Sequence, residues 1–204
     1  LIKRIHQGLI FSLISMISLG AIFVGIGEPI VNLVYRRGAF NQDAVELVTK
    51  LLIAYGIGMP VYLCRDLLVR VFYALSDGKT PFKISSLGIL LNIIFDWFLI
   101  GGPTPWGNHS PINLGAQGLV FSTALVNFLT CLILLFKLNK KIKGIPLFNW
   151  FLDASKLMLC GFLSCISAWI STSYIIWPNN TLGVFLEVII SSSISFGIYG
   201  LTAL

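Results

Sequence analysis

Six apolar runs, at residues 8–34, 51–75, 82–100, 114–136, 150–176 and 182–204, make up most of this chain, and each is long enough to cross a bilayer. A helical span needs roughly 20 predominantly apolar residues. Backbone groups inside hydrocarbon find no water to bond, so only helices and closed barrels cross it. The runs are continuous rather than alternating, which excludes barrel strands. The expected fold is therefore an all-α membrane protein with six transmembrane helices. The segments between the runs, "RRGAF", "SDGKTP", "GGPTPWGNHSP", "KGIP" and "WPNN", carry the Gly, Pro and Asn of turns. In "SDGKTP", Gly78 is expected to supply a positive φ and Pro81 to start the next helix. Pro29 and Pro60 fall within the first two runs, where kinks are expected.

Charge supports the same class. Only 11% of residues are charged and 56% are hydrophobic, against about 25% charged in soluble domains. The net charge of +6 would suit nucleic acid, but the basic residues flank the spans instead of forming a soluble basic face, so no nucleic-acid partner is expected. They read as topology signals. Lys3, Arg4, Arg70, Lys79, Lys83, Lys137, Lys140, Lys141 and Lys143 fall on the side of the N-terminus, and Arg36, Arg37 and Lys50 on the other. The positive-inside rule then places the N-terminus in the cytoplasm. Trp106, Trp150 and Trp177 fall near the expected interfaces. The chain begins at Leu1 and ends while still apolar, with no secretory signal in view, and is expected to be a piece of a longer protein.

Against this background the stretch "LLNIIFDWFL", residues 90–99, stands out. Asp96 lies five residues from the turn at 101–113, roughly 8 Å below the end of its helix. Asn92, four residues earlier, shares its face. Counted from residue 114, Leu119 and Thr123 lie at matching depths on the next helix. A carboxylate, an amide oxygen, a hydroxyl and a backbone carbonyl form an oxygen cage suited to a hard cation. An ionisable residue within a span costs at least about 2.5 kcal/mol. The functional reading is a cation or proton site, and the alternative is an aspartate hydrogen-bonded to Asn or Trp between helices.

A second candidate is the inner third of the second helix. There Arg65 and Arg70 could grip a phosphate-bearing head group; alternatively Asp66 neutralises Arg65 and Arg70 snorkels to lipid. Cys64, Cys131, Cys160 and Cys165 lack metal or disulfide spacing and read as packing residues. His6 and His109 are expected in loops, and no catalytic or phosphate-loop pattern is present, so the chain is read as no enzyme. Glu28 and Glu187 are expected to be interface or groove residues, and "SSSIS" at 191–195 a polar stripe of the last helix.

"LVYRRGAFNQDAV", followed by "RDLLVRVFYALSDGKTPFKIS", resembles the MurJ (MviN) lipid II flippase family of the multidrug/oligosaccharidyl-lipid/polysaccharide exporter superfamily, over essentially the whole chain. The "RDLLVRVFYAL" wording is most similar to cyanobacterial members. The resemblance implies that the six spans are the last six of a fourteen-helix transporter. Residues 1–145 would then be four helices of its second lobe, and 146–204 a pair forming a hydrophobic groove for the lipid tail. It implies a sodium site at Asn92, Asp96, Leu119 (through its carbonyl) and Thr123, with a further carboxylate and the pyrophosphate-gripping arginines on earlier helices. It also implies ion-coupled alternating access that moves a lipid-linked peptidoglycan precursor across the bacterial plasma membrane. No cofactor beyond a sodium ion is expected; the expected partners are that precursor, membrane lipid and the cell-wall synthesis machinery. The rival readings are an exporter of another lipid-linked oligosaccharide, a drug/cation antiporter of the same superfamily, and a non-transporting membrane scaffold.

Overall fold

A computed structural model describes residues 1–35, 41–101, 114–175, 177–178 and 181–203. Among these residues every regular element is an α-helix: α1 (Ile2–Gly25), α2 (Gly27–Tyr35), α3 (Gln42–Ala74), α4 (Lys79–Ile100), α5 (Ala116–Ile142), α6 (Leu147–Tyr174) and α7 (Thr181–Ala203). All but α2 are long and apolar enough to cross a membrane. The described residues divide into two compact units, residues 1–13 with 58–150, and residues 14–57 with 151–204.

The first expected span is two helices. It breaks at a bend at Ile26, and the cause lies three residues on. Pro29 has no amide hydrogen, so the carbonyl of Gly25 has no helical donor, and the ring crowds that same carbonyl. Gly25 also marks a close approach of α6, since a Cβ there would lie 2.7 Å from the Cβ of Ala168. α3, by contrast, runs unbroken across Pro60. The carbonyl that Pro60 frees belongs to Gly56 and packs against Gly20 of α1, where a Cβ would come within 2.5 Å of the Gly56 oxygen. Small residues that let backbones meet are the usual glue of membrane helices. α3 is also longer than expected, beginning nine residues earlier, with the Asn41 side chain accepting the Ala44 amide.

The α3–α4 turn differs from expectation in one respect. Positive φ falls on Ser76 (56°), whereas Gly78 is right-handed at −76°. The amides of Ser76 and Asp77 bond back to the carbonyls of Tyr73 and Phe72, closing α3 in a Schellman arrangement whose left-handed residue is the serine. Asp77 then opens α4, its carboxylate accepting the amide (3.1 Å) and hydroxyl (2.9 Å) of Thr80, and Lys141 of α5 reaches the same carboxylate at 2.7 Å.

His6 is not in a loop but in α1, where it stacks at 5.0 Å on Trp150, which is buried in the first turn of α6. Around them Leu68, Phe72, Leu134 and Leu138 build an apolar core. In the other unit, Ser191 and Ser195 are fully buried on α7, and the Ser164 hydroxyl of α6 donates to the Ser195 carbonyl at 2.8 Å. That is the polar stripe expected of "SSSIS". Trp106, His109, Arg36 and Arg37 lie outside the described residues.

Candidate cation site in the α4–α5 hairpin

α5 presents a stripe of buried residues at four-residue spacing: Gly118, Ser122, Val126, Thr130, Leu134 and Leu138. Such a stripe lies along one helix face, and its small members let α4 come close. A Cβ at Gly118 would lie 2.4 Å from the Leu99 carbonyl oxygen, and one at Gly88 would meet Thr130 and Val126 at 3.3 and 3.4 Å. The hairpin closes on a hydrogen bond from the Leu114 amide to the Leu99 carbonyl, and Gly101, in the left-handed region, ends α4. These contacts fix the register of the two helices.

Within that register Asp96 meets Ser122, whose hydroxyl donates to Asp96 Oδ1. The other carboxylate oxygen accepts Asn92 Nδ2 at 3.3 Å, while Asn92 Oδ1 is buried without a partner among the described residues. Leu119 contributes a carbonyl, but that oxygen accepts two hydroxyls, from Ser122 at 3.0 Å and Thr123 at 2.9 Å, and its side chain is half exposed. Asn92, Asp96 and Thr123 line one cavity of about 270 Å³ together with Arg65, Ser85 and Asn127. Asn127 Nδ2 in turn donates to the Thr123 carbonyl at 2.7 Å.

Two features of the site went unread in the sequence: Ser122, bonded to Asp96, and Arg65, which lines the cavity. Ser122 is fully buried; the only signal for it is the small-residue stripe it shares with Gly118. Arg65 comes to the cavity from α3. Its Nη2 donates to Ser85 at 2.8 Å, its Nη1 faces Asp66 at 3.3 Å, and its Nε is buried without a partner among the described residues. Arg70 is exposed and does not line the cavity, so the two arginines named together are parted. A lone buried amide oxygen beside a carboxylate, with hydroxyls within reach, fits a small hard cation. Among the described residues no three His, Cys, Asp or Glu side chains gather as a softer metal would require.

A second cavity, about 950 Å³, lies in the other unit and is lined by Glu28, Asn32, Thr49, Trp169, Trp177 and Glu187 among others. The two glutamates expected at an interface or groove thus share one polar recess, where α2 packs on α7.

Helices of membrane-crossing length, with a carboxylate, an amide and a guanidinium around one cavity between them, define a multi-pass α-helical membrane protein. The model of the lipid II flippase MurJ family matches residues 1–190, and the chain belongs to that family. It is similar to a probable lipid II flippase MurJ of Synechocystis sp., 38% identical over 94% of this chain and 34% of the relative. A lipid II flippase MurJ of Thermosipho africanus is 26% identical over 90% of this chain and 35% of the relative. The solved structure of a lipid II flippase MurJ in an inward closed conformation superposes with a TM-score of 0.67, at 24% identity, over 97% of this chain and 37% of that one, and shows the same fold. The chain thus spans about a third of the length of the curated relatives it matches.

Proposed function

We propose that this chain is the cation-binding, C-terminal part of a flippase that moves lipid II across the bacterial plasma membrane by alternating access. Family membership supports the substrate class. The observation that carries the coupling is Asp96: a carboxylate in a helix of membrane-crossing length, with a buried amide oxygen one turn away that has no partner among the described residues, and a hydroxyl on it. A carboxylate at that depth is costly unless something uses it. An ion that binds one conformation better than another shifts the balance toward it by that difference, and the hard oxygen donors suit sodium. The polar head group crosses between two lobes while the lipid tail lies along α6 and α7. Arg65 is the head-group candidate on this part of the protein, and Arg70, being exposed, serves the surrounding lipid. The Lys/Arg distribution sets the N-terminus in the cytoplasm, where the cell-wall synthesis machinery that makes the precursor is the partner.

The test is thermal unfolding of the detergent-solubilised full-length protein against sodium at constant ionic strength, with potassium as replacement. A ligand stabilises the state that binds it, so sodium should raise Tm in the wild type and fail to do so in Asp96→Asn and Asp96→Leu. A rise that persists unchanged in Asp96→Asn puts the ion elsewhere. In cells depleted of their own flippase, full-length protein carrying Asp96→Leu should leave lipid II inaccessible to an impermeant degrading enzyme added outside. Normal outer-face exposure would refute the coupling.

A further inference from the structure

The Ser122 hydroxyl has one hydrogen and two acceptors: Asp96 Oδ1 across the helix pair, and the Leu119 carbonyl oxygen 3.0 Å away on its own helix. It can serve one at a time. The two acceptors are unequal. Leu119's carbonyl also takes the Thr123 hydroxyl at 2.9 Å, and so keeps a hydroxyl partner whichever way Ser122 turns. Among the described residues, Asp96 has, besides Ser122, only the long 3.3 Å bond from Asn92. Ser122 is fully buried, so bulk water does not compete for its hydrogen.

We infer that Ser122 is a placeholder for the cation: its hydrogen holds Asp96 while the site is empty and swings to the Leu119 carbonyl when a cation arrives. This rests on the cation reading of Asp96. A cation drawn to Asp96 Oδ1 repels the hydroxyl hydrogen and attracts the oxygen lone pairs. Rotation about the Cβ–Oγ bond answers both and moves no heavy atom, because an acceptor already stands on the far side. Ser122 therefore stabilises the empty site more than the loaded one. Empty, its hydroxyl donates to a full negative charge, and charge-assisted bonds are the strong ones; loaded, that charge is shared with the ion and Ser122 is one neutral oxygen among several. The consequence is a weaker hold on the cation, which a transport cycle needs for release. Thr123 is less suited to the role, since its hydroxyl bonds the Leu119 carbonyl and no bond joins it to Asp96. Arg65 is the one other charged residue lining the cavity among the described residues, and its hydrogen bonds go to Ser85 and Asp66.

Ser122→Ala removes the hydroxyl, keeps Cβ and suits a helix. The experiment is a sodium titration of Tm in the detergent-solubilised full-length protein, at constant ionic strength, for wild type, Ser122→Ala and Asp96→Asn. The expected result has three parts: Ser122→Ala melts below wild type without sodium, rejoins it at saturating sodium, and reaches its half-response at roughly three- to tenfold less sodium. A half-response at higher sodium would make Ser122 a ligand, and an equal drop in Tm at every sodium concentration would make it a packing residue; either overturns the placeholder role. A sodium response that survives in Asp96→Asn is a different failure, that of the cation reading itself.

Discussion

Gly118→Ala is the sharpest test of how the hairpin builds its site. The new methyl would stand 2.4 Å from the Leu99 carbonyl oxygen and 2.6 Å from its carbon. Comfortable contact is about 3.5 Å or more, so α4 and α5 must part by roughly 1 Å here. The carbonyl cannot swing aside freely, because it accepts the Leu114 amide that closes the hairpin. Asp96 lies three residues before Leu99, and Ser122 four after Gly118, on the same packed faces. The separation therefore reaches their hydrogen bond. Overpacking costs about 1–3 kcal/mol, and replacing a helical glycine by alanine returns up to about 1 kcal/mol. The net expectation is a loss of about 1–2 kcal/mol. Gly88→Ala is the control, since its nearest contacts are side-chain methyls of Thr130 and Val126 at 3.3 and 3.4 Å, which can shift; it should stay within about 0.5 kcal/mol of wild type. The assay is thermal unfolding of both variants in detergent, with the sodium response measured alongside. Gly118→Ala melting with the wild type, or Gly88→Ala melting below Gly118→Ala, would refute this account of the packing.

Three further outcomes follow from the same structure. Asn92→Ala and Thr123→Val each remove a neutral oxygen, so each should weaken the sodium-dependent rise in Tm less than Asp96→Asn, and a larger loss in either would reassign the principal ligand. Lys141, hydrogen-bonded to Asp77, together with the Thr80 amide and hydroxyl, holds the Asp77 carboxyl down at about 2. A depressed carboxyl stabilises the fold above its ordinary range near pH 4 and loses that contribution as pH falls toward about 2. Asp77→Asn should thus lower Tm at pH 7 by a margin that closes across that window, and a margin constant with pH would show that the ion pair contributes nothing. Cysteines introduced at Asn108 and Asn180 should react with an impermeant reagent outside intact cells while one at Asn139 should not; the reverse pattern would invert the topology.

The class of protein was legible in the sequence because hydropathy is a property of local composition. Runs of membrane-spanning length leave the backbone no choice but helix, and the described residues form six helices of that length. A carboxylate at membrane depth with an amide one turn away was legible for the same reason, since residues four apart share a helix face whatever else the helix touches. Even the break at Ile26 has a local cause in Pro29. What α4 meets across the hairpin is different in kind. Depth counted from residue 114 pairs Asp96 with Leu119, whereas the structure brings it to Ser122, three residues further along. That offset is set by how closely the helices approach at Gly118 and Gly88 and by the Leu114–Leu99 hydrogen bond, none of which a count along one chain contains. Nor does spacing within α3 say that Arg65 turns to Ser85 and joins the cavity of Asp96, while Arg70, five residues on, stays exposed. Composition assigns each segment its solvent; which side chains share a cavity depends on the rotation and separation of helices, and only their packing decides that.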